Sequence, residues 1–180
     1  RRSGGTNGSV TVYYSTAADS APPAGMTAAG NDPVFDFDYV QIFASTLGVT
    51  ADTSADPDQF MLTATLPPQR LVNGNTVVLA PGAGAVPGGL VAGVPYGVAN
   101  FNAFSGTFTL LSNGVPVNAL DNGGAFTVRP ALVWAAGDVA DKTFTVAIQD
   151  DLAQEGSQTF TVNLTAVNPP TGPDADASLV

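Results

Sequence analysis

The feature that most limits what this chain can fold into is a strict two-residue alternation of apolar and hydroxyl side chains, repeated in separate short runs. In SVTVYYS, Val10, Val12 and Tyr14 fall on one face, with Thr11, Tyr13 and Ser15 on the other. In KTFTVAI, Phe144, Val146 and Ile148 oppose Thr143, Thr145 and Ala147, and in QTFTVNLTAV the residues Phe160, Val162, Leu164 and Ala166 share a face. Successive side chains of an extended chain point to opposite sides, so this period predicts strands with one buried side. The residues are β-branched or aromatic, the types that fit a pleated, half-buried surface. Further strands are predicted at FMLTATL, NTVVLA, GTFTLLS, AFTVRP and ALVWAA, between the turn signals NGN, SNG, DNGG and AGD. No stretch supports a long amphipathic helix. The expectation is an all-β antiparallel sandwich, with Trp134 and the phenylalanines filling the space between sheets.

At 180 residues the chain fits one domain with a real core. It has no cysteine and no histidine, which removes disulfides, Ser-His-Asp and Cys-His catalysis, and makes zinc a poor ligand. Any metal must be bound by oxygen. Fifteen acidic residues against five basic ones give a formal charge of -10, which repels phosphate backbones and anionic lipids, so nucleic acid is excluded as a partner. Charged residues are only 11% of the chain, against roughly 25% in ordinary soluble domains. An uncharged surface rich in Thr, Ser, Asn and Gly is the balance of secreted bacterial surface proteins, so an extracellular location is expected. The opening RRSGGTNGS has no apolar stretch of a signal peptide behind its arginines, and VVLAPGAGAVPGGLVAGVPYGVANF is too broken by Pro and Gly to be a membrane helix.

Two segments differ from the rest. Residues 17–31 form a small-residue loop around APPAGMTAAGN, and residues 71–120 contain no charged side chain. The second segment is either an irregular loop packed on its own domain or a surface buried against another chain, since so large an uncharged apolar surface is seldom left in water. Its glycines are not a phosphate loop, because no GK[ST] follows.

RPALVWAAGDVADKTFTVAIQDDLAQEGSQTFTVNLTAV, residues 129–167, resembles the second half of a Calx-beta domain: a strand ending in an aromatic, a G-D turn, a KTFTV-I strand, a DD-x3-E-G loop and a TFTV-L strand. RSGGTNGSVTVYYSTA resembles that family's R-x-GG-x-x-G-x-V-x-V-x-Y-x-T strand. The T-A-x-x-G-x-D-Y stretch that follows in the family has two counterparts here, Asp32, after Ala29-Gly30, and Asp38, before Tyr39. The resemblance implies a single Ig-like, Calx-beta-like sandwich over 1–180, with family-like halves at about 1–32 and 129–180. A β-rich, Gly/Pro-rich insertion, 33–128, separates them. The family's outermost strands find no room in this chain. They are expected either from further chain or from a neighbouring subunit, because an unpaired sheet edge is costly if buried and adhesive if exposed.

The loop QDDLAQEGSQ concentrates carboxylates in a chain poor in charge. It is a solvated turn, a catalytic pair or a metal site. Ca2+ takes 6 to 8 oxygens and suits carboxylates converging from loops at one end of a sandwich. The resemblance implies Asp150, Asp151 and Glu155 as Ca2+ ligands, with Asp32 or Asp38. Gln158 replaces the family's second glutamate, which implies fewer and weaker sites. A glycosidase pair from Asp151 and Glu155 has nothing nearby in sequence to desolvate either carboxyl, so no enzyme is expected. Trp134 and the tyrosines raise a glycan-binding face, against which Trp134 occupies the family's core aromatic position. Asn7-Gly8-Ser9 and Asn163-Leu164-Thr165 fit the glycosylation triplet, a pattern common by chance.

The expected function is a non-enzymatic structural subunit of an extracellular filament or surface adhesin. It would assemble with copies of itself through open sheet edges, by strand donation in the most specific form, and through the 71–120 surface, with Ca2+ rigidifying one end. The alternative is a monomeric Ca2+- or glycan-binding module of a tandem-repeat secreted protein.

Overall fold

The computed structural model describes residues 2–3, 7–18, 42, 46–63, 71–148, 160–167 and 178–179. Its strands are, in chain order, β1 (Arg2–Ser3), β2 (Val10–Ala18), β3 (Leu47–Asp52), β4 (Gln59–Leu62), β5 (Thr76–Pro81), β6 (Pro95–Ala99), β7 (Thr107–Ser112), β8 (Val115–Pro116), β9 (Phe126–Trp134), β10 (Phe160–Val167) and β11 (Ser178–Leu179). The described residues contain no helix, and the chain is all-β as its alternation predicts. Every pairing among the described residues is antiparallel. β1 pairs β11, and the others form one path, β10-β2-β9-β3-β4-β7-β6-β5, with β8 attached to β7.

That path closes on itself, because β5 also pairs β9, from Val77 opposite Pro130 to Pro81 opposite Phe126. Strands β9, β3, β4, β7, β6 and β5 are therefore a closed ring, a small barrel whose inside is filled by side chains. Inward positions are Leu47, Val49, Phe60, Val77, Leu79, Val98, Phe108, Leu110, Phe126 and Val128, all buried. Phe60 packs against Phe108 at 5.9 Å between ring centroids and edge-on against Phe126 at 6.2 Å. The expected insertion thus supplies most of a barrel. Much of what is apolar in the charge-free segment faces inward: Leu71, Val77, Leu79, Leu90, Tyr96, Val98, Phe108 and Leu110.

Two local features explain how glycine-rich sequence serves this ring. Asn113 and Gly114, both at positive φ (50° and 81°), make the two-residue turn whose twist matches a hairpin, between β7 and β8. Gly84 and Gly124 lie against each other so closely that a Cβ on Gly84 would sit 2.4 Å from the Cα of Gly124. Only glycine permits that backbone approach.

β9 is shared between two cores. Its first half lines the barrel, while Ala131 to Trp134 pairs Tyr13 to Val10 of β2. AFTVRP and ALVWAA, expected as separate strands, are one strand running through Pro130. Proline is tolerated there because β3 stops pairing at Val128 and β2 starts at Ala131, so the missing N–H falls at a changeover between ladders. The second core holds Val10, Val12, Tyr14, Ile42, Leu132 and Trp134, with Phe144 and Val146 packed on it. Trp134 is 1% exposed and donates its indole N–H to Ala140 O at 2.7 Å.

Two strand expectations need correction. KTFTVAI is not a ladder strand; only Ile148 makes an isolated bridge. Phe144 and Val146 still pack inward, but Ile148 is 69% exposed. A side chain takes the place of a neighbouring strand: buried Asn75 donates from Nδ2 to Thr145 O at 2.8 Å and accepts from Thr145 N at 2.6 Å. QTFTVNLTAV does form a strand, β10, yet its expected buried face is open, with Val162 41% and Leu164 48% exposed.

Candidate functional site

The site is built around β10. Its register on β2 sets Leu164 opposite Tyr14 and Val162 opposite Thr16, so those apolar side chains lie on the same face as the second core. Among the described residues, the layer that closes this core stops short of them. Phe144 stacks on Tyr14 at 4.1 Å between centroids and 20° between planes, covering β2, while the neighbouring apolar positions on β10 stay half exposed. Thr161, Asn163 and Thr165 on the opposite face are exposed too.

Among the described residues, β2 is the one strand that pairs with β10, which stands at the end of the strand path. Folded proteins usually protect such an edge with lysine, proline, a bulge or an inward-pointing charge. FTVNLTAV has no charge and no proline, and its pairing with β2 runs in unbroken register over all eight residues. The barrel next to it, being closed, offers no such edge.

Tyr14 lies beneath this open side. Its hydroxyl is buried without a hydrogen-bond partner, and burial pushes its pKa well above the ordinary phenol range. Replacing Tyr14 by Phe removes an orphan polar atom and keeps the stacking on Phe144. Tyr14→Phe is therefore expected to leave stability unchanged or raise it by up to about 1 kcal/mol in urea unfolding. The sign also fixes a pH dependence. Below about pH 10 the phenol is neutral in both states; above it the unfolded chain loses the proton first, so Tyr14 lowers stability as pH rises, and Tyr14→Phe flattens that decline.

The expected Ca2+ ligands Asp32, Asp38, Asp150, Asp151 and Glu155 lie outside the described residues. Among the described residues no group of three or more acidic side chains is placed to hold a metal. The carboxylates at the far end of the barrel are engaged with the loops that carry them. Asp52 accepts from Ser54 Oγ at 2.6 Å and Ser54 N at 3.0 Å, which hold its carboxyl below the usual range. Buried Asp58 accepts from Ala119 N at 2.6 Å, and Asp121 Oδ1 accepts from Gly88 N and Gly123 N at 3.1 and 2.9 Å. These acids tie the loops 52–58, 82–94 and 117–125 together.

Trp134, Tyr14 and Tyr96 are buried, and Tyr13 lies under the guanidinium of Arg129, 3.9 Å from the ring centroid. None of the four offers a flat, open platform for a sugar. Among the described aromatics the fully exposed one is Phe104, held on the β6–β7 turn where Phe104 N and Ser105 N both donate to Asn102 Oδ1. No family model, no curated protein and no solved structure matches this chain.

Sequence reasoning identified β10 as a strand but placed its apolar face in the core. No residue within β10 marks it as an edge: FTVNLTAV has neither the charge nor the proline that edges usually carry. Alternation alone reports which side chains share a face, and whether anything covers that face is decided elsewhere in the chain.

Proposed function

We propose that this chain is a non-enzymatic structural subunit of an extracellular filament or surface adhesin, and that it assembles with copies of itself through the open edge of β10. The observation that carries this reading is that, among the described residues, no strand but β2 pairs with β10, with Val162 and Leu164 half exposed on the face of the second core. A completed pairing removes both unpaired backbone groups and apolar surface from water. The resemblance of 129–167 to Calx-beta domains supports the extracellular setting, and on that resemblance Ca2+ held by Asp150, Asp151 and Glu155, with Asp32 or Asp38, stiffens the adjoining loop. Absence of both His and Cys agrees with a structural role.

Sedimentation velocity across a wide concentration range, joined to negative-stain microscopy, tests the reading. Growth of assemblies with concentration is the expected result, with shorter or fewer assemblies after Ca2+ chelation. Assemblies indifferent to chelation keep the structural role and remove the metal from it. A lone small particle under every condition overturns the proposal in favour of a monomeric binding module.

A further inference from the structure

Resting on that self-assembly reading, we infer that the partner of β10 is β10 of a second copy, paired antiparallel about a two-fold axis through Asn163. A two-fold contact must be self-complementary: if residue i meets j, then j meets i. Around Asn163 the stretch Thr161-Val162-Asn163-Leu164-Thr165 satisfies this side chain by side chain. Val162 meets Leu164 of the copy, and Thr161 meets Thr165. Apolar residues oppose apolar ones, hydroxyls oppose hydroxyls, and Asn163 opposes its own mate.

Three observations favour a second copy over another polypeptide. Hydroxyl and apolar cross-strand pairs are stabilising units of an antiparallel ladder, and this register supplies both on separate faces. A chain of net charge -10 repels its own kind, yet this contact sets no charge against another because β10 has none. Lastly, the half-exposed strip of Val162 and Leu164 lies on the core side of the sheet, so the strips of two copies adjoin across the axis and each covers the other's open flank. The sheet then runs continuously through β9, β2 and β10 of one copy into β10, β2 and β9 of the next; this two-fold contact closes on a pair, so growth beyond the pair takes a second contact elsewhere on the molecule. One ladder is small beside the roughly 1,200 Å² of a stable interface, so the contact alone is expected to be weak, micromolar or weaker.

Because the chain has no cysteine, single-cysteine variants on the exposed face of β10 report the register without background. Under mild copper-phenanthroline oxidation of the intact protein, Asn163→Cys is expected to crosslink to itself, since directly opposed Cα atoms are about 4.5–5.5 Å apart, within disulfide reach. Thr161→Cys and Thr165→Cys are each expected to fail alone, their own mates lying about 13 Å along the strand, and to crosslink when mixed. Asn163→Lys, which sets two ammonium groups face to face, is expected to raise the dissociation constant roughly tenfold or more, while Asn163→Ser leaves it within a few-fold. Concentration-dependent association with no preferred crosslink at position 163, or with equal crosslinking at all three positions, overturns this pairing and leaves self-assembly standing. A monomer at every concentration overturns both.

Discussion

Trp134→Ala is expected to lower unfolding free energy by about 3–5 kcal/mol, the range for deleting a buried large aromatic from a core. Trp134 ends β9 inside the second core, 1% exposed, among Val10, Val12 and Leu132, and its indole N–H anchors the following turn through Ala140 O. Removing it leaves a void and a carbonyl without its donor. Trp134→Phe fills most of the space and is expected to cost less, by about 1–2 kcal/mol, through the lost hydrogen bond and the smaller ring. Urea unfolding followed by far-ultraviolet circular dichroism measures both, and an alanine variant within 1 kcal/mol of the parent would show that this core contributes little.

Phe126→Ala is expected to cost a similar 3–5 kcal/mol from the barrel side. Phe126 is fully buried at the start of β9, edge-on to Phe60, and its backbone pairs both Val49 of β3 and Pro81 of β5 at the point where the ring closes. Its side effect is more telling. Trp134 is the single tryptophan, so its fluorescence reports the second core alone. If the shared strand joins the two cores into one cooperative unit, Phe126→Ala shifts the fluorescence midpoint together with the circular dichroism midpoint. A fluorescence transition that stays in place while the dichroism transition moves would show two units that unfold separately.

Local structure was well written in the sequence. Val10, Val12 and Tyr14 alternate and are buried, SNG made the predicted turn, and Trp134 fills a core as a strand-end aromatic should. Pairing was less legible, because it depends on residues far apart. Nothing within PGAGAVPGGLVAGVPYG says that β5 returns to β9 and closes a ring, yet that closure decides why residues 71–120 carry no charge: many of them line its interior. KTFTVAI has the period of a strand, and what replaces its neighbour is one asparagine side chain 70 positions away. β10 shows the same limit from the other side, since its alternation is faithful while Val162 and Leu164 on its apolar face stay half exposed.

The register of β10 on β2 also decides how the molecule answers a pull. The ladder runs from Thr11 opposite Val167 to Ala18 opposite Phe160, so the stretch before β2 and the stretch after β10 leave it at the same end. Tension carried along the backbone through those two points loads the hydrogen bonds one after another, as in opening a zipper, and because Val10 to Tyr13 also pair with β9 the same pull works on that ladder from Val10 onward. Sideways tension across β10 is different, because it is shared by every bond of a ladder at once. A chain built this way yields easily along its own backbone and resists where it is gripped from the side, which is where the proposed second copy would hold it.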